Sequence, residues 1–233
     1  MTSSSNLIII PARANSKRLK NKNIKAFNNI PLIIYTLKFA LNNCENSKIV
    51  VCSDCEIIKS IVKKHNIQFI NRPAEISSDY SPVSQVISYV LDYLEDGVNK
   101  FNTITLLQIT NPLRPKDLFI NTYKKLLNNP SFDSIISVSE VKNKYGQIIN
   151  QSFKPINYNF EQRSQDLKAN YYENGLIYIF KLNRNLQINL FGDKILTHLI
   201  ETKYPLIDID TIHDFKLGEY FLKSYEKLFK HLL

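Results

Sequence analysis

A cluster of cationic and polar side chains follows a short apolar run near the start of the chain. The run occupies residues 7–10. The cluster comprises Arg13, Ser16, Lys17, Lys22 and Asn23. Arginine offers a planar pair of donors and lysine a mobile point charge, which together suit phosphate oxygens whose charge grows at a leaving group. The segment lacks both the Gly-Lys-Ser/Thr element of a Walker loop and the Gly-x-Gly-x-x-Gly dinucleotide fingerprint. It therefore predicts a polyphosphate site of another class, with a solvated charged loop as the alternative.

Two alternating carboxylates near the end of the chain could hold a metal ion. Asp208 and Asp210 are separated by one residue, and Ile207 and Ile209 flank them. Alternate residues of a strand point the same way, so both carboxylates are expected to face one side. Two carboxylates together with triphosphate oxygens suit Mg²⁺. The alternative is a pair of surface carboxylates on an edge strand.

The formal charge of +9 is concentrated in the first part of the chain. No Asp or Glu precedes Glu45, whereas seven Lys or Arg residues do. One cationic loop suits a polyphosphate better than a nucleic-acid duplex. A basic nucleic-acid-binding module is the alternative from another class, but residues 13–25 contain no aromatic side chain on which bases could stack.

The cysteines and histidines carry little chemical signal. Cys52 and Cys55 have the spacing of half a metal or redox site, but no second pair accompanies them, so buried or spectator thiols are expected. The four histidines form no ligand spacing with the cysteines. No apolar run approaches the roughly 18 residues of a membrane span, and the N-terminus lacks the zones of a signal peptide, so we expect a cytoplasmic protein.

Strand-like and helix-like segments alternate along the chain. Strand signals lie at residues 7–10, 48–54, 69–70, 103–109, 134–138 and 176–180. Helix signals lie at residues 31–41, 57–62 and 85–94, from Pro115 onward, and at residues 215–228. This order predicts one α/β domain over residues 1–233, with a mostly parallel, doubly wound, Rossmann-like sheet. The pattern fails at about residues 140–172, which indicates an excursion from the sheet. Ligands of such sheets bind at the carboxyl ends of the strands, where the polar segments lie.

Several segments of the chain resemble the CMP-sialic acid synthetases, or acylneuraminate cytidylyltransferases. Residues 11–17 with 22–23 resemble the motif that holds the CTP phosphates and ribose. Residues 72–75, followed by Asp79 and Ser81, resemble the motif around the cytidine. The implied fold is that of nucleotide-sugar transferases. Nucleotide-side residues inferred from this resemblance and its flanking loop are Ser16, Lys17, Asn23, Arg72, Ser81 and Ser84.

Further segments resemble the sugar and metal motifs of the same family. Residues 106–114 place Gln108 where the family has a sugar-contacting glutamine. Residues 163–166 and 172–179 resemble the next motif, and residues 207–210 the metal motif. Sugar-side residues inferred from these segments are Gln108, Arg163, Gln165, Tyr178 and, from its loop-like surroundings, Phe191. A solvated arginine is the alternative for Arg163, and a core aromatic is the alternative for Tyr178.

Four residues depart from the family pattern. Ala14 and Asn15 replace a frequent Gly-Gly pair, Asn111 replaces a serine and Ser164 replaces an arginine. The last two are expected to lie near the sugar, so they affect which sugar is bound and not which reaction is catalysed.

The resemblance implies a CTP-dependent cytidylyltransferase that activates a nonulosonic, sialic-acid-like sugar and releases pyrophosphate. The residues expected to carry catalysis are Arg13, Lys22, Arg163, Asp208 and Asp210, with Mg²⁺ on the last two. A homodimer is implied, with residues 140–172 crossing to the partner. Neuraminate, legionaminate and pseudaminate types remain open, and an enzyme for the eight-carbon acid of lipopolysaccharide is the nearest rival.

Overall fold

The computed structural model describes residues 6–14, 16–78, 81–94, 100–182 and 190–233. Its strands are β1 (Asn6–Pro11), β2 (Ala26–Phe27), β3 (Ile30–Pro31), β4 (Ser47–Ser53), β5 (Gln68–Asn71), β6 (Thr103–Leu106), β7 (Ser134–Val141), β8 (Gly146–Ile149), β9 (Ser152–Pro155), β10 (Asn170–Lys181) and β11 (Ile195–Leu199). Its helices are α1 (Leu32–Asn43), α2 (Glu56–Lys64), α3 (Val83–Tyr93), α4 (Leu118–Leu127), α5 (Ile212–Ser224) and α6 (Glu226–Phe229). Short 3-10 turns lie at Lys22–Ile24, Ala74–Ile76, Ser164–Asp166 and Lys230–Leu232.

Seven strands form the central sheet in the order β11-β7-β10-β6-β1-β4-β5. All neighbouring pairs are parallel except those of β10, which runs antiparallel to both β6 and β7. The prediction of an α/β fold with a mostly parallel sheet is therefore confirmed. The antiparallel direction of β10 follows from the excursion, which returns the chain to the sheet without a crossover helix.

The apolar run of β1 lies at the centre of the sheet and is buried on both faces. Ile8 and Ile10 pack into a core with α1 and α5, whereas Leu7 and Ile9 pack into a second core with α3. Each of these four side chains is fully buried. Helices on both faces explain why β1 is continuously apolar, since neither face of a central parallel strand reaches water.

Two element boundaries and one edge strand differ from the sequence predictions. The strand predicted at residues 103–109 ends at Leu106, and the helix predicted from Pro115 begins at Leu118. The Leu118 N–H donates to the Pro115 carbonyl at 3.2 Å, so a turn precedes the helix. Edge strand β11 was not predicted, because its alternating exposure leaves Ile195 and Leu199 partly in water and its apolar signal is weak.

The excursion between β7 and β10 is smaller than predicted, because β10 begins at Asn170 and pairs with the end of β7. It contains the β8–β9 hairpin and the 3-10 turn Ser164–Asp166. Several of its apolar side chains are exposed, including Ile148, Phe153, Ile156 and Phe160. Within the described ranges, every helix is too short or too polar to span a bilayer.

Candidate functional site

A cavity of about 600 Å³ opens at the carboxyl edge of the central strands. It is bounded by the loops that follow β1, β5 and β6 and by residues 208–210. The residues predicted from sequence that line it are Arg13, Ser16, Lys17, Lys22, Asn23, Arg72, Ser81, Gln108, Asp208 and Asp210. The fold thus brings the basic loop, the cytidine-motif residues and both carboxylates to one site, although up to 197 residues of sequence separate them.

Hydrogen bonds between side chains and backbone atoms hold the basic loop after β1 in place. The Ala14 N–H donates to Asp54 Oδ1 at 2.6 Å, and Asn23 Nδ2 donates to the Arg13 carbonyl at 2.9 Å. Asn21 adopts a left-handed conformation, with φ of 56°, ahead of the 3-10 turn Lys22–Ile24. Asparagine tolerates this conformation better than most residues. The loop therefore curls back on itself and directs Arg13 and Lys22 toward the cavity.

Lys22 joins the basic loop to the carboxylate segment. It is buried, and its Nζ donates to the Ile209 carbonyl at 2.6 Å and to Asp210 Oδ1 at 3.0 Å. The guanidinium of Arg18 lies 2.8 Å from Asp210 Oδ2. Arg18 was not predicted as a site residue, although its place in the cationic stretch could have indicated it. Asp210 therefore has a cationic partner at each carboxylate oxygen.

The carboxylate segment, residues 207–210, is not a strand of the sheet. The Ile209 N–H donates to the Thr110 carbonyl at 2.8 Å, and the Asp210 N–H donates to Asp214 Oδ2 at 3.1 Å. Ile207 and Ile209 are buried, while both carboxylates line the cavity. The predicted alternation is thus present, and it results from these anchors and not from sheet pairing.

Asp208 and Asp210 both line the cavity and are of the residue type that binds Mg²⁺. Burial raises the pKa of Asp208, and a hydrogen bond with Thr110 opposes this effect. Within the described part of the chain, no group of three or more His, Cys, Asp or Glu residues could hold a metal. Two carboxylates with substrate phosphates and water are the usual ligands of Mg²⁺, so the residues present fit this ion.

Arg72 orders the loop after β5 at one side of the cavity. It is buried, and its Nε donates to the Ile76 carbonyl at 2.9 Å while its Nη2 contacts the same oxygen. Burial lowers the pKa of the Arg72 guanidinium. Ser81 Oγ lies 2.8 Å from Ser78 Oγ, and both serines line the cavity. Asp79, which belongs to the same motif, lies outside the described residues.

Gln108 is held by an arginine that was not predicted as a site residue. Arg114 is fully buried and donates to the Leu176 carbonyl at 2.8 Å, to Thr36 Oγ1 at 3.1 Å and to the Gln108 carbonyl. Burial lowers the pKa of its guanidinium. Its three acceptors lie on α1, on β10 and on the loop after β6, so Arg114 fixes the backbone that carries Gln108.

Five predicted site residues do not line the cavity. Ser84 lies half-buried on α3. Tyr178 is buried and packs with Phe191 at 6.1 Å between ring centroids, and burial raises its pKa to about 12. Arg163 and Gln165 are exposed on the excursion, where Arg163 pairs with Asp166 at 2.8 Å. Within a single copy of the chain, the excursion residues are thus separate from the cavity.

The fold is similar to those of known cytidine-dependent enzymes. A CMP:2-keto-3-deoxy-manno-octonic acid synthetase solved with CTP superposes with a TM-score of 0.69 at 15% identity, covering 95% of this chain and 99% of that one. A 4-diphosphocytidyl-2C-methyl-D-erythritol synthase from Anaerococcus prevotii gives a TM-score of 0.62 at 15% identity, covering 94% and 96%. At this level of identity the likeness shows the fold alone.

Relatives found by sequence are more similar to this chain than these solved structures are. An N-acylneuraminate cytidylyltransferase from Escherichia coli O18:K1:H7 is 29% identical over 91% of this chain and 51% of its own length. A pseudaminic acid cytidylyltransferase from Campylobacter jejuni subsp. jejuni serotype O:2 is 28% identical over 96% of this chain and 99% of its own. The post-translational flagellin modification protein B of Campylobacter coli is 30% identical over 94% and 95%. The chain therefore spans about half of the first relative and nearly all of the other two.

The relationship extends along almost the whole chain. A family model described as cytidylyltransferase matches residues 7–231, which include the cavity and the excursion. Since that model covers far more than half of the sequence, the chain belongs to the cytidylyltransferase family.

Proposed function

We propose that this cytidylyltransferase activates a nonulosonic, sialic-acid-like sugar with CTP, giving the CMP-sugar and pyrophosphate. The observation that carries the proposal is the meeting of the basic loop with Asp208 and Asp210 in one cavity. Cations and a carboxylate pair at one strand-end cavity suit a metal-bound triphosphate. The names of the relatives, which include enzymes for N-acylneuraminate and pseudaminic acid, supply the class of sugar.

The reaction is an in-line phosphoryl transfer. The anomeric oxygen of the sugar bonds to the α-phosphorus of CTP, the bond from that phosphorus to the bridging oxygen breaks, and pyrophosphate leaves. The proton of the attacking hydroxyl passes to solvent or to a cavity carboxylate. Among the described residues that line the cavity, Asp208 and Asp210 are the carboxylates available. Arg13, Lys17 and Lys22 stabilise the charge that grows on the departing pyrophosphate.

Asp208 and Asp210 would hold Mg²⁺, which supplies positive charge that orients the triphosphate and offsets the developing charge. Neighbouring side chains already position both carboxylates at the cavity. Asp210 is already aimed into the cavity by its contacts with Arg18 and Lys22. The Thr110 side chain lies beside Asp208 and opposes the rise that burial causes in the pKa of Asp208.

The excursion supports the proposal of a homodimer. Its exposed apolar side chains would be costly in water and suit a second copy of the chain. In that arrangement Arg163 and Gln165 would reach the partner's cavity, where an arginine can pair with the carboxylate of an acidic sugar. We expect Phe160→Asp, with 67% of the residue exposed, to halve the mass measured by light scattering. Lys20→Asp on the basic loop is the control, and an unchanged mass in Phe160→Asp would contradict this interface.

The proposed function is tested by measuring pyrophosphate release from CTP in the presence of each acidic sugar of a panel. The panel comprises neuraminate, legionaminate, pseudaminate and the eight-carbon acid of lipopolysaccharide. We expect turnover with at least one nine-carbon acid and little with the eight-carbon acid. Turnover with the eight-carbon acid alone would replace the proposed substrate class. The cytoplasmic location expected from the sequence stays a prediction.

A further inference from the structure

Asn111 is a buried side chain that connects three separate segments beneath the cavity floor. Only 1% of its surface is exposed. Its Nδ2 donates to the Asn174 carbonyl at 3.0 Å and to the Ile207 carbonyl at 3.4 Å, while its Oδ1 accepts from Thr110 Oγ1 at 3.1 Å. The three segments are the loop after β6, strand β10 and the carboxylate segment. Asn111 does not line the cavity, in contrast to the expectation that it lies beside the sugar.

The contacts of Asn111 and its neighbour Thr110 fix the carboxylate segment from one side. Asn111 bonds the carbonyl of Ile207, the residue before Asp208. Thr110 receives the Ile209 N–H on its carbonyl at 2.8 Å, and its hydroxyl, which donates to Asn111 Oδ1, lies beside the Asp208 side chain. Two hydrogen bonds from two adjacent residues therefore hold the backbone on either side of Asp208, at the Ile207 carbonyl and at the Ile209 N–H.

Strand β10 is shaped to admit the Asn111 amide. Its pairing shifts register between Glu173 and Tyr178, and Gly175 within the shift has φ of 75°. A Cβ on Gly175 would lie 2.6 Å from Asn111 Oδ1, which is closer than atoms can pack. Asn174 is itself anchored, because its Oδ1 accepts from Ser137 Oγ at 2.6 Å and its Nδ2 donates to Ser139 Oγ at 2.8 Å. The amide thus rests on a rigid support.

We propose that Asn111 is a positioning residue that holds Asp208 and Asp210 for the metal-bound triphosphate, and that it is not a sugar contact. This inference rests on the proposed function. An amide has two N–H donors and can serve the Asn174 and Ile207 carbonyls together. A serine, which is frequent at this place in the family, has one donor and would leave one of these buried carbonyls unpaired. The asparagine therefore determines the placement of the carboxylate segment in this chain.

Asn111→Ser is the informative variant, because it is small and keeps one donor. We expect its turnover number to fall about tenfold or more, as displaced catalytic groups do. The Mg²⁺ concentration for half-maximal rate should rise several-fold, while KM for the sugar stays within about twofold. Binding of Mn²⁺ in the presence of CTP and without sugar, followed by electron paramagnetic resonance, should weaken by a similar factor. This last readout does not depend on turnover.

Asn6→Ser is the matched control. Asn6 is also buried and bonded, accepting from Thr103 Oγ1 at 2.9 Å and Thr105 Oγ1 at 3.0 Å and donating to Ser47 Oγ at 3.0 Å, but it lies at the opposite end of the sheet. We expect it to lower the melting temperature without changing Mg²⁺ dependence or Mn²⁺ binding. If Asn111→Ser behaves as Asn6→Ser does, the role of Asn111 is only structural and the proposal is overturned.

Two further outcomes separate the alternatives. A raised KM for the sugar with normal Mn²⁺ binding would make Asn111 a sugar contact and overturn the proposal. If Asn111→Ser does not fold, Thr110→Val tests the same support, because it removes the hydroxyl that donates to Asn111 Oδ1 beside Asp208. Normal Mn²⁺ binding in Thr110→Val would then refute the proposal. Absence of turnover in the wild type with every acid would sink the proposed function, whereas the Mn²⁺ comparison would still decide the role of Asn111.

Discussion

Replacing Lys22 by methionine should weaken both the fold and the reaction, because this lysine serves both. Methionine has nearly the same length, so the variant removes the charge with little change of volume. It leaves the Ile209 carbonyl without its 2.6 Å donor and Asp210 with Arg18 as its remaining cationic partner. A hydrogen bond to a charged group contributes about 1.5–3 kcal/mol, and water entering the open cavity replaces part of this. We therefore expect the free energy of unfolding to fall by about 2 kcal/mol.

The kinetic effect of Lys22→Met should be larger than its effect on folding. Losing a donor to the developing pyrophosphate charge costs about 3 kcal/mol, so kcat/KM for CTP should fall roughly 10²-fold. Urea unfolding and pyrophosphate release measure the two quantities on the same preparation. Lys20→Met is the control, since Lys20 is exposed in the same loop and does not line the cavity. A destabilised Lys22→Met variant with a normal rate would refute the phosphate-binding role and leave Lys22 as a structural anchor.

Two other predictions follow from the carboxylates and the histidines. Asp210→Asn and Asp208→Asn should each need far more Mg²⁺ and reach a maximal rate at least about 10²-fold lower, because a neutral amide is a poorer ligand for a hard cation. The double variant should be little worse than either single variant. Circular dichroism is the folding control. Wild-type Mg²⁺ dependence in both single variants would exclude Asp208 and Asp210 as the metal ligands. Burial lowers the pKa of His198 and of His231. Because their folded pKa values are lowered, stability should fall as pH drops below about 6.5, the unfolded value, and continue to fall through the folded pKa values. Replacing both by glutamine should flatten this part of a urea-denaturation pH profile, and an unchanged slope would contradict the assignment.

The parts of the fold that sequence could predict are those with local signals. The continuous apolar run of β1 indicated a strand buried on both faces, and the polar loops after the strands lie where the cavity forms. The direction of β10 could not be predicted, because it depends on how the excursion returns to the sheet. Edge strand β11 was not predicted because three of its five residues are exposed to water.

The roles of the buried polar residues near the site could not be predicted from local sequence either. Arg114 and Asn111 both lie in a segment identified from its resemblance to the family, yet their structural roles depend on acceptors up to 96 residues away. Nothing in the local pattern distinguishes a buried arginine from one that faces a ligand. Sequence alone could likewise not decide between the alternatives given for Tyr178 and Arg163. In this structure Tyr178 lies among core aromatics and Arg163 lies on the exposed excursion.

Nucleotide selectivity of pyrophosphate release tests the central claim most directly. With a nine-carbon acid and Mg²⁺ present, we expect release from CTP and at least about 10²-fold less from ATP or GTP, since a pocket that pairs with a pyrimidine edge leaves its polar groups unsatisfied by a purine. The product should be the CMP-sugar in equal amount to pyrophosphate. Equal release from ATP and CTP would contradict a cytidylyltransferase site in this cavity.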